Sequence, residues 1–129
     1  MDASVVAKET PVARTASQPT TAPPPIDLAH LSRYTLGNAA LQCEVLQLFV
    51  EQAPTTLAQL STARTEKDWR DAAHTLKGSA RAVGAWRVAG CAERAETIDI
   101  RAQEKGRIIQ GLEAALDEAR RYIAALAGH

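Results

Sequence analysis

The chain has 129 residues, the size of one domain and too short for two ordinary cores. Lys+Arg and Asp+Glu balance at 15 each, so no net field draws the protein to nucleic acid or to an anionic membrane. Aromatic residues make up 4% and alanine is abundant, which favours closely packed helices over a β-sandwich and makes all-α the expected fold class.

Residues 1–25 are rich in Pro, Thr, Ala and Ser and end in "TTAPPP"; with no sustained apolar period they read as a disordered leader or tether. The opening "MDASVVAKETPVARTASQ" has no apolar run of the export type, and no segment approaches the ~20 apolar residues that span a bilayer. The expected location is cytoplasmic, and the initial Met with its leader favours a free protein over a piece of a larger kinase. Cys43 and Cys91 match no metal spacing and are expected to be reduced, buried packing residues.

From Ile26 the pattern turns helical, first in the short amphipathic "IDLAHLSRY", then in a longer segment that Asn38 can cap. Leu41, Val45, Leu48 and Phe49 form the expected core stripe, which continues through Leu57 and Leu60. Pro54 removes a backbone donor and crowds the preceding turn, so a kink or a break into two helices is expected there. The next helix is expected to start near Asp68, with Thr65 and Asp68 spaced as in a capping box, and to end near Gly84, a residue suited to a left-handed cap. A further helix begins around Trp86 and carries Val88, Cys91, Ala92, Ala95 and Ile98; "RAQEKG" then marks a turn with Gly106. The last segment places Ile109, Leu112, Leu116, Ala119, Ile123 and Leu126 on one seam. These elements predict an antiparallel four-helix bundle with a short extra N-terminal helix, over residues 26–129.

One stretch, "AHTLKGSARAVGA" from Ala73 to Ala85, carries the chemistry. At about 100° per residue, Trp69, Ala72, Leu76, Ala80 and Val83 cluster opposite His74, whereas Arg70, Lys77, Gly78 and Arg81 fall on its own side. His74 is therefore expected to be exposed. A neutral imidazole is a competent nucleophile near physiological pH, and a phosphohistidine formed on it would find Lys77 one turn away as a charge-assisted donor. Arg70 and Arg81 would extend the positive patch. Glycine inside a helix costs about 1 kcal/mol relative to alanine, so Gly78 beside the histidine suggests room for a partner's backbone.

The histidine followed at plus three and plus four by lysine and glycine, in an alanine-rich helix ending in glycine, resembles the histidine-containing phosphotransfer (HPt) domain family of phosphorelays. The resemblance extends from about Ile26 to Leu126. It implies that His74 is phosphorylated, at Nε2, that Lys77 stabilises the phosphoryl group, and that Gly78 gives a docking response-regulator receiver domain room; Arg70 and Arg81, on the same side of the wheel, are expected to join that docking face. It also implies a carrier rather than an enzyme, acting as a monomer between receivers and a hybrid sensor histidine kinase. The receiver would supply the acceptor aspartate and Mg²⁺, and the carrier itself needs no cofactor. Family members typically hold a larger apolar residue near Ala95, so looser packing is expected there. No Gly-rich loop offers an ATP site. The Asp71/His74 pair lacks the second Glu-x-x-His helix of bundle di-metal centres, so no metal site is expected. The remaining rivals are a helical module that binds a kinase or receiver without being phosphorylated, a histidine-dependent phosphatase and the dimerisation region of a histidine kinase.

Overall fold

A computed structural model describes residues 23–128 of the chain, so most of the expected leader lies outside the described residues. The described part is all-helical: α1 Leu28–Tyr34, α2 Ala39–Ser61, α3 Glu66–Val83, α4 Trp86–Thr97 and α5 Lys105–Ala127. Side chains cap the first three: Asp27 accepts from the His30 N–H, Asn38 from Leu41 and Thr65 from Asp68. α3 thus starts two residues earlier than expected, because Thr65 itself is the cap.

α2 packs on α3 and α5, α4 packs on α3 and α5, and α1 lies against α3. The core between them is built of Phe49, Leu57 and Leu60 from α2, Trp69, Leu76 and Val83 from α3, Val88 and Ala92 from α4, and Leu112 and Ile123 from α5, with Leu31 of α1 and Ile26 before it. The expected core face of α3 is buried in full, joined by Ala73. Ala95 is fully buried, and its carbonyl accepts the indole N–H of Trp69 at 2.7 Å.

Five expectations need correction. α2 runs unbroken through Pro54; a tolerated helical proline leaves one carbonyl unpaired, and Pro54 instead borders a groove with Phe49, Val50, Leu57 and Leu116. In the first half of α2 the buried stripe is Leu46 and Phe49, while Leu41 and Leu48 are exposed and Val45 is half-buried. Leu46 borders Ile123 of α5, whereas Val45 and Leu48 line a groove with Ala82 of α3. Cys43 and Cys91 are free thiols, but Cys43 is exposed and Cys91 half-buried. Gly106 lies in the first turn of α5 rather than in a loop. At the other end of that helix, Leu126 is exposed instead of closing the seam.

The α3–α4 junction positions the site. Gly84 takes φ +75°, and the N–H groups of Gly84 and Ala85 bond back to Arg81 and Ala80, closing α3 with a left-handed cap. Its carbonyl accepts the Asp27 N–H at 2.9 Å, and the Asp27 carboxylate accepts the Trp86 indole N–H at 2.9 Å. These bonds tie the entry of α1 to the turn, and the Trp86 indole N–H, followed by the His30 N–H, holds the Asp27 carboxyl below the usual aspartate range.

Candidate functional site

His74 sits mid-way along α3 with its side chain 72% exposed, as the wheel requires. Its Nδ1 lies 3.1 Å from Oε2 of Glu96 on α4. A carboxylate oxygen only accepts, so Nδ1–H donates, and Nε2 is left with the lone pair and no protein partner among the described residues. Glu96 was not expected from the sequence. A usable signal was there: His74 stands ten residues before Gly84 and Glu96 eleven after Ala85. Two antiparallel helices climb equally from a tight turn, so such residues come level.

Lys77 is on the same side of α3 as His74, but its side chain is only 17% exposed, and Nζ stands 2.5 Å from Oε1 of Glu96. The contact is an ion pair that is close rather than well aligned as a hydrogen bond, since Oε1 is buried without a properly directed donor. The Lys77 ammonium, followed by the His74 imidazole, holds the Glu96 carboxyl below its ordinary value of 4.5, with burial opposing them. One carboxylate therefore fixes both side chains: Oε2 orients the imidazole and Oε1 neutralises the lysine.

Gly78 is exposed, and a Cβ built there would meet nothing within 4 Å. Arg70 and Arg81 are also exposed, but neither is a free cation. Arg70 stands 3.4 Å from Glu66 and Arg81 3.7 Å from Glu93, so the face around His74 is a mosaic of weak surface pairs rather than a uniformly positive patch. Asp71 is engaged 2.6 Å from Lys67. Among the described residues no three His, Cys, Asp or Glu side chains gather as metal ligands, and no helix is long and apolar enough to cross a membrane.

The arrangement is an exposed nucleophilic nitrogen on a rigid helix, a carboxylate behind the other ring nitrogen, a cation one turn away, and open space where a partner could approach. Comparisons with known proteins bear on the family. The family model for the Hpt domain matches residues 44–127. Among curated proteins none matches the chain. The crystal structure of the histidine phosphotransferase ShpA from Caulobacter crescentus is similar at 38% identity and a TM-score of 0.60, over 80% of this chain and 90% of that one. With the Hpt match spanning well over half of its length, the chain belongs to the Hpt domain family and has a phosphotransfer role in a phosphorelay, as a phosphocarrier rather than a classical enzyme.

Proposed function

We propose that the protein carries its phosphoryl group on Nε2 of His74 and passes it from one receiver aspartate to another. The observation that supports this most is the Nδ1–Glu96 contact at 3.1 Å, which leaves Nε2 as the nitrogen facing solvent. In the forward step the Nε2 lone pair attacks phosphorus of an aspartyl phosphate; the P–O bond to aspartate breaks and its electron pair returns to the carboxylate. The ring keeps its Nδ1 proton and becomes cationic, and Glu96 faces that developing charge. Transfer to the second aspartate reverses the step.

Lys77 is the group nearest to the new phosphoryl oxygens that can donate with a full charge, one turn from His74, in exchange for part of its pairing with Glu96. Gly78 leaves the approach clear, and Arg70 and Arg81 border it as docking residues. The receiver contributes the aspartate and the Mg²⁺ that shields the transferred charge, so this chain needs no cofactor of its own, and positioning is its main contribution. This reading describes residues 26–129 as an antiparallel four-helix bundle with a short N-terminal helix. It is a cytoplasmic monomer serving receiver domains and a hybrid sensor histidine kinase. The opposite running of neighbours supports the bundle: α3 and α4 meet at Arg81 with Glu93 and at Lys77 with Glu96, and α4 meets α5 at Arg87 with Glu118.

The test is His74→Gln. Because His74 is exposed, helical circular dichroism should stay unchanged while acid-labile labelling from a phosphorylated receiver disappears; persistent labelling of the variant would reject the assignment. A wild-type chain that binds receivers without ever being labelled would establish the non-phosphorylated module instead.

A further inference from the structure

Arg70 stands one turn before His74 and Lys77 nearly one turn after it, so the imidazole has a cation on either flank along α3. The two cations are held differently. The Lys77 side chain is 17% exposed, with Nζ against Glu96 Oε1, and it turns to a phosphoryl group only by giving up part of a half-shielded pair. The Arg70 side chain is 60% exposed and 3.4 Å from Glu66, a surface pair that contributes little and is readily exchanged. Helix side chains lean toward the N-terminus of their own helix, so the His74 ring covers the turn that Arg70 occupies. With Cβ atoms about 5–6 Å apart at this spacing, the guanidinium can swing from Glu66 to a group carried on the ring.

Glu66 does not depend on Arg70 alone. Its Oε1 accepts the Ile100 N–H at 2.7 Å, which ties it to the loop between α4 and α5. In that loop Arg101, paired with Asp99, also feels the Glu66 charge. The carboxylate thus keeps a backbone donor and a nearby cation when Arg70 leaves. The other exposed cations are worse placed. Lys67 lies seven residues before His74 and 2.6 Å from Asp71, and Arg81 seven residues after it, paired with Glu93.

We infer that Arg70 is a second phosphoryl-binding cation, which leaves Glu66 and forks onto the phosphoryl oxygens when His74 is phosphorylated, and that Glu66 is the positioning residue that holds it ready beside the unmodified ring. This rests on His74 being the phosphorylated residue, and it gives Arg70 a part in the chemistry besides docking. The planar guanidinium presents two parallel N–H groups to two oxygens, a match that the lysine ammonium lacks.

The experiment labels the full chain with phosphoramidate, a small donor that needs no receiver. His74 Nε2 attacks phosphorus and the P–N bond breaks, its electron pair leaving with ammonia; added ammonia reverses the step. The ratio of labelled to unlabelled chain at fixed phosphoramidate and ammonia is therefore an equilibrium that reads the stability of the phosphoryl group. Arg70→Ala should lower this ratio about tenfold, the size of one charge-assisted hydrogen bond at an exposed site, and Arg70→Lys by less. Glu66→Gln keeps an acceptor for the Ile100 N–H and should raise the ratio about twofold, a rise that vanishes in the Arg70→Ala background. In ¹⁵N-labelled wild type the Arg70 Nε–H resonance should move on phosphorylation, while the thermal midpoint of unlabelled Arg70→Ala stays within a few degrees of wild type. A wild-type ratio in Arg70→Ala, a Glu66→Gln effect that persists without Arg70, or an unmoved Arg70 resonance overturns the inference. Absence of label on His74 in the wild type refutes the phosphotransfer reading instead.

Discussion

Glu96→Ala removes at one stroke the acceptor for His74 Nδ1–H and the counter-charge of Lys77. A hydrogen bond to a charged group contributes about 1.5–3 kcal/mol. His74 is 72% exposed, so the lower end applies, and about 1.5 kcal/mol corresponds to roughly a tenfold slower transfer. The effect on folding is separate. The Lys77 and Glu96 side chains are 17% and 20% exposed, placing the pair between surface pairs near 0–1 kcal/mol and buried ones near 3–5 kcal/mol when one partner is removed, hence about 2 kcal/mol. For a domain of this size that is a fall of about 10 °C in melting midpoint. Glu96→Gln keeps an acceptor for Nδ1–H and loses only the charge, so it should transfer within about threefold of wild type on the same scale. The assay is single-turnover transfer from a labelled receiver, with thermal unfolding measured alongside. A Glu96→Ala protein that transfers at the wild-type rate would refute the argument that this contact sets the nucleophilic nitrogen. The pH dependence has a defined sign: Glu96 is held below its ordinary 4.5 in the folded state. Its contribution to stability is therefore present above pH 4.5 and lost as pH falls through the lowered folded value, so the midpoints of wild type and Glu96→Gln should converge in acid.

Lys77→Ala leaves the Glu96 carboxylate beside the phosphoryl oxygens without its cation, so the phosphohistidine should decay several-fold faster, on the order of 1 kcal/mol of lost stabilisation; an unchanged decay of acid-labile label would remove Lys77 from the chemistry. Gly84→Ala should unfold at lower urea by about 2–3 kcal/mol, because φ +75° penalises a Cβ that would also sit 2.9 Å from the Asp27 Cβ and carbonyl oxygen. Wild-type stability in that variant would show that the turn and α1 can separate at no cost.

The α3 helix illustrates how far the sequence can be read. Its cap Thr65, its core face of Trp69, Leu76, Ala80 and Val83, its left-handed stop at Gly84 and the exposure of His74 all follow from local rules: side-chain capping, a 3.6-residue period and the conformational freedom of glycine. α2 shows where those rules stop. Its first half is apolar on more than one side, and the packing of α2 on α3 and α5 decides that Leu46 is buried while Leu41 and Leu48 face solvent. Pro54 likewise breaks no helix, because packing on both flanks of α2 outweighs one lost backbone bond.

At the site the division is the same. The spacing of His74, Lys77 and Gly78 along one helix was legible, since neighbours three and four residues apart share a face whatever else the chain does. That Lys77 is a tucked ion-pair partner rather than a free cation, and that Glu96 engages His74 at Nδ1, depends on α4 folding back across α3 at Gly84. Periodicity determines which way a side chain leaves its own helix. What it meets there is decided by a residue 22 positions away, brought level by a turn whose geometry no local pattern of charges reveals.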